Sequence, residues 1–127
     1  MSLQHPIARV RGLGSAKSGT HHWWVQRTTA IALALLTPWF IWLAVSLVGA
    51  DAFSVRATLA QPLNAVLMLA FVISLFWHAR LGLQVVIEDY IHTHWLEVTL
   101  QIAVMFACAL AALASAIAIG RIVFTAG

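Results

Sequence analysis

His78 is the residue best placed to do chemistry where chemistry is hardest. It stands in a long apolar stretch, directly after Trp77. Beyond it only Arg80 and Gln84 are polar until the chain turns clearly polar at Glu88, Asp89 and Tyr90. Tyr90 follows His78 by twelve residues, about 18 Å along a helix rising ~1.5 Å per residue. With Tyr90 near a membrane surface, His78 lies well inside the bilayer. Asp89, eleven residues on, is close to three full turns away and projects from nearly the same face. An imidazole at that depth has two uses. It can stay neutral and hydrogen-bond to another helix. It can instead give a ring nitrogen to heme iron as an axial ligand, which removes the cost of an unpaired polar group in hydrocarbon. A heme held by two histidines needs a second ligand at matching depth. His21 and His22 lie at the mouth of the first apolar stretch, and His92 and His94 follow the second. The second ligand has to come from another subunit.

The other polar residues near the membrane have plain readings beside chemical ones. Ionisable groups there are costly, usually paired and usually functional. Arg27 can snorkel to lipid phosphates, Tyr90 can sit in an aromatic belt, and Glu88 and Asp89 can form a solvated helix end. Arg80 allows a further combination, a proton path through His78, Arg80 and Asp89. Cys108 is the only cysteine, so no intrachain disulfide forms.

The elements that must position these residues follow from composition. Of 127 residues, 62% are hydrophobic and 9% charged, and the mean hydropathy is +0.93. A water-soluble domain needs a polar shell that seven Lys and Arg and four Asp and Glu cannot supply. The solvent for most of this surface is lipid. A net charge of +3, with the basic residues mostly ahead of the first apolar run, is membrane topology and no argument for nucleic acid. Three apolar stretches are long enough to cross ~30 Å of hydrocarbon as helices, at about 27–49, 60–90 and 96–122. They must be helical, because backbone N–H and C=O groups facing lipid have no other partners. The expected fold class is therefore all-α: an integral membrane protein of three transmembrane helices, 27–124, behind an N-terminal segment, 1–26. Pro38 is expected to kink the first helix, and Ala107 to Ala118 to form a close-packing face.

Orientation follows from Lys and Arg. Arg9, Arg11, Lys17 and Arg27 precede or open the first helix, Arg56 lies in the first loop, Arg80 near the edge of the second, and Arg121 in the tail. The N-terminus and second loop are expected on the cytoplasmic side, the first loop and C-terminus outside. Trp23, Trp24 and Trp95 anchor the cytoplasmic headgroup region. No cleavable signal or transit peptide precedes Thr28, which points to a bacterial inner (cytoplasmic) membrane.

Two motifs together resemble a known family. One is His78, ten further residues, then Asp89-Tyr90, in the second of three helices. The other is His21-His22-Trp23-Trp24-Val25-Gln26-Arg27, with a histidine six residues ahead of an arginine before the first helix. Over roughly residues 12 to 120 the chain resembles the small hydrophobic membrane anchor subunits of bacterial succinate dehydrogenase, the respiratory complex II. The resemblance implies that His78 is one axial ligand of a heme b, with the other from a second, larger anchor subunit. It implies that Arg27, with His21 or its neighbour His22, pairs with the heme propionates. It implies that Tyr90 donates to a carbonyl of ubiquinone, with Asp89 organising that site or its proton supply. Further partners would be an iron–sulfur subunit and a flavoprotein subunit, the latter holding the succinate chemistry, which this chain lacks. The alternatives are the anchor of a fumarate reductase, with the same architecture and reverse flux, a small proton-translocating subunit without heme, or an assembly subunit without redox chemistry.

Overall fold

The computed structural model describes residues 19–125. Four helices account for nearly all of them: α1 (Gly19–Ser46), α2 (Ala52–Ala60), α3 (Pro62–Tyr90) and α4 (His94–Thr125). No strand occurs among the described residues. Helices α1, α3 and α4 are each long and apolar enough to cross a membrane. At ~1.5 Å per residue they exceed a ~30 Å hydrocarbon core, so their ends reach into the headgroup regions.

Those overhanging ends explain where the boundaries differ from expectation. Helix α1 begins at Gly19 rather than near 27. Hydropathy marks the part of a helix that hydrocarbon can hold, whereas His21 to Gln26 continue the same helix with interfacial side chains. Two turns of the expected N-terminal segment therefore belong to α1; residues 1–18 lie outside the described residues. Helix α4 starts at His94, so His94 is a helix residue and only Ile91 to Thr93 join α3 to α4. Arg80 lies inside α3, ten residues before its end, and is not at the edge of a loop. Topology therefore rests on the N-terminal cluster against Arg56 and Arg121. Pro38 lies within α1, which continues to Ser46.

The first loop contains a short helix of its own. Gly49 takes a left-handed φ of 80°, a conformation that costs glycine nothing, and turns the chain out of α1. The carboxylate of Asp51 then caps α2, accepting from the Ser54 N–H at 3.4 Å. The hydrogen bond to Ser54 holds this carboxyl below its ordinary range. Extended backbone at Gln61 separates α2 from α3 (φ −58°, ψ 131°), and Pro62 occupies the first turn of α3, where its missing N–H is not needed. Asn64 Nδ2 ties the two together by donating to the Thr58 carbonyl at 2.9 Å.

Helix α3 is the centre of the molecule. It packs against α1 on one side and α4 on the other, while α1 and α4 make no contact; α2 lies against α3 and α4. Toward α1, α3 presents Phe71, His78 and Gly82, spaced by seven and four residues along one face. Phe71 stacks on Phe40 with centroids 4.7 Å apart and planes 11° from parallel. Gly82 faces Gln26, whose amide nitrogen lies 4.0 Å from where a Cβ would stand. Among the described residues, only Leu43, Phe71, Leu81 and Ile87 form a buried apolar core. Lipid tails solvate the rest as well as another helix does, so apolar exposure costs little here. Phe71→Leu keeps the bulk but loses the stack, worth ~1 kcal/mol. It should lower the thermal stability of the assembled protein by a few degrees without abolishing membrane insertion, measured by melting in detergent.

Candidate functional site

The α1 face toward α3 is built from His22, Gln26 and Thr29, spaced as i, i+4 and i+7. Thr29 Oγ1 lies 3.1 Å from Nδ1 of His78. The same hydroxyl is within 2.8 Å of the Val25 carbonyl and 3.1 Å of the Gln26 carbonyl, to which it donates. His78 is half-buried. Its Nε2 has no hydrogen-bond partner among the described residues. One ring nitrogen is thus engaged within the protein, and the other has no partner among the described residues.

Toward the helix ends nearer Tyr90, the same seam holds two enclosed polar atoms without partners, His22 Nε2 and Gln26 Oε1. Beside them lies a cavity of about 310 Å³ bordered by His21, His22, Val25, Trp77, Arg80 and Gln84. His21 is exposed and His22 half-buried, so the tandem histidines divide between surface and seam. Arg27, two residues before Thr29, leaves α1 on the other side, exposed, with its guanidinium 5.3 Å from the Trp23 ring centroid. That distance suits a cation–π contact.

On its opposite side α3 carries a second polar group. Gln84 Nε2 donates to Glu88 Oε1 at 2.8 Å, and Gln101 Nε2 of α4 reaches Glu88 and Glu97, each at 3.4 Å. Two cavities of about 210 and 250 Å³ run along the α3–α4 groove, and Arg80 borders both. Asp89 and Tyr90 close α3 as exposed residues, Tyr90 being 77% accessible.

The fold therefore brings His21 and His22 to one cavity with Arg80, and sets His78 deeper on the same seam. It does not bring Arg27 against His78, nor Asp89 and Tyr90 against either, within this one chain. Thr29, Glu97 and Gln101 do not stand out in the sequence. The only signal for Thr29 is its helical register with His22, and it becomes visible once α1 is known to begin before His21.

The family model for succinate dehydrogenase/fumarate reductase transmembrane subunits matches residues 1–114. The chain belongs to this family. It is similar to the succinate dehydrogenase hydrophobic membrane anchor subunit of Rickettsia bellii, 44% identical over 98 residues that cover 77% of this chain and 78% of the relative. The subunit of the same name from Rickettsia conorii is 40% identical over 114 residues, 89% of this chain and 90% of the relative. That of Paracoccus denitrificans is 31% identical over 109 residues, 86% and 84% respectively. No solved structure matches the chain. As a succinate dehydrogenase/fumarate reductase transmembrane subunit, the chain is a multi-pass membrane protein, and α1, α3 and α4 are its spans. Its role is that of a membrane subunit within an oxidoreductase, not of the subunit that oxidises succinate.

Proposed function

We propose that this chain is the hydrophobic membrane anchor of a succinate dehydrogenase in a bacterial inner membrane. In this reading it supplies His78 as one axial ligand of a heme b shared with a second anchor subunit. It contributes Tyr90 and Asp89 to the site where ubiquinone is reduced. The observation that carries the reading is the imidazole of His78, deep in α3, with Nδ1 engaged by Thr29 and Nε2 without a hydrogen-bond partner among the described residues. That donor set fits a heme. An iron ligand needs one unprotonated nitrogen, and propionates need donors or cations nearer the surface. His21 and, from the far face of α1, Arg27 serve the propionates, and the enclosed His22 Nε2 is a further donor beside the cavity that His21 borders.

When bound, the heme supplies a one-electron store near the quinone. The chain's own residues do the rest. Tyr90 offers a phenolic O–H to a quinone carbonyl at the edge of an apolar cleft. Quinone reduction consumes two protons with two electrons, and in this reading Asp89, exposed beside Tyr90 at the end of α3, passes them to the site. An iron–sulfur subunit meets this mouth, with the flavoprotein beyond it. The proton-translocating alternative is less well supported. Arg80 borders both the α4 groove and the His21–His22 cavity, yet no hydrogen bond links it to His78 or Asp89 among the described residues. The fumarate reductase reading differs in the direction of flux.

Purification of the complex, with its subunits identified by mass spectrometry and its reduced-minus-oxidised spectrum recorded, tests the proposal. A b-type α-band and co-purifying flavoprotein and iron–sulfur chains are expected. A complex without those chains refutes the anchor role, and one without the band refutes the heme. Reporter fusions at Ala16 and Gly127 should report opposite sides of the membrane. Equal signals would reject three spans.

A further inference from the structure

We propose that Thr29 is a positioning residue that fixes the tautomer and ring orientation of His78, so that Nε2 is the nitrogen available to iron. This rests on the heme reading above and adds a role for a residue outside the proposed ligand set.

A threonine hydroxyl has one proton. In Thr29 that proton is directed at the carbonyls of Val25 and Gln26, 2.8 and 3.1 Å away on its own helix. Only oxygen lone pairs then remain to face His78 Nδ1 at 3.1 Å. With the hydroxyl proton kept on its own helix, the imidazole donates, which places its proton on Nδ1 and its lone pair on Nε2. The other tautomer requires Thr29 to release its backbone partner and leaves an Nε2–H with no acceptor among the described residues. The contact is held in place by the packing around it. Gln26 of α1 lies against Gly82 one turn toward the surface, and the Phe40–Phe71 stack pins the seam deeper down.

A hydrogen bond at the remote nitrogen of a metal-bound histidine orients the ring and raises its basicity. It therefore favours ferric over ferrous iron and lowers the heme potential. The test uses the assembled complex with Thr29→Val, Thr29→Ala and Thr29→Ser. Outer-shell losses of this kind typically change metal affinity about 10- to 100-fold. A tenfold loss of ferric preference corresponds to a rise of about 59 mV for one electron. Both variants without a hydroxyl should show that upward shift, with an altered low-spin ferric EPR signal reporting ring rotation. Thr29→Ser, which keeps the hydroxyl, should match wild type in both. Loss of heme from an assembled Thr29→Val or Thr29→Ala complex, with Thr29→Ser retaining it, has the same meaning. A wild-type potential and EPR signal in either hydroxyl-free variant overturns the proposal. So does a Thr29→Ser complex that behaves like Thr29→Val, because packing rather than the hydrogen bond would then be responsible. A wild-type complex without b-type heme overturns the heme reading itself, a result separate from any difference among variants.

Discussion

Tyr90→Phe should reduce quinone reductase activity tenfold or more while leaving succinate oxidation by a water-soluble dye nearly unchanged. The phenol sits at the end of α3, 77% accessible within the chain, so its hydroxyl is available to a ligand or partner. As a quinone gains electrons its carbonyl oxygen gains negative charge, and a hydrogen bond to that oxygen strengthens in the transition state. Loss of one such bond, about 1.4 kcal/mol, is a factor of about ten in rate. The dye takes electrons before they reach the membrane, so its reduction reports intact assembly. Phenylalanine keeps the ring, and His78 and Arg27 are untouched, so heme should remain. Wild-type quinone reduction in a fully assembled Tyr90→Phe complex would make Tyr90 an interfacial aromatic and nothing more.

His78→Ala should abolish or grossly distort the b-heme spectrum of the complex, whereas His92→Ala should leave it intact. His78 lies inside α3, bonded to Thr29, while His92 is exposed in the three-residue connection to α4. Alanine removes the proposed iron ligand together with its contact to the Thr29 hydroxyl, so some destabilisation of the α1–α3 seam should accompany heme loss. A complex that binds heme normally without His78 assigns the ligand elsewhere. The spectrum of the purified variant, compared at equal flavin content, decides it.

Three spans are legible in the sequence because hydrocarbon thickness and backbone hydrogen bonding leave so few alternatives. His78 is legible for the same reason, since a polar ring deep in an apolar run needs an explanation. Helix ends are less legible. Nothing in hydropathy distinguishes a helix that stops at the interface from one that continues through His21 and His22. Arg80 misleads in the opposite way. A charge ordinarily marks a loop, yet its long stem allows it to sit ten residues inside α3 beside Gln84 and Gln101. The short helix α2 is hidden because nine residues with mixed character carry no strong period; its Asp51 cap is its one local sign. Thr29 is hidden because its importance lies in a contact 49 residues away along the chain. Family membership supports the role of the subunit, and the geometry adds which face of α1 serves His78.

The single-file order of the spans bears on biogenesis. Helix α1 touches α3, α3 touches α4, and α1 never meets α4. Spatial order thus repeats the order of synthesis. Each span leaving the ribosome can dock on its immediate predecessor, and none must wait unsatisfied for a distant later one. Contacts between sequence neighbours are quick to form and leave few opportunities for mispairing. The Thr29–His78 contact is accordingly available as soon as α3 enters the bilayer, before α4 has been made.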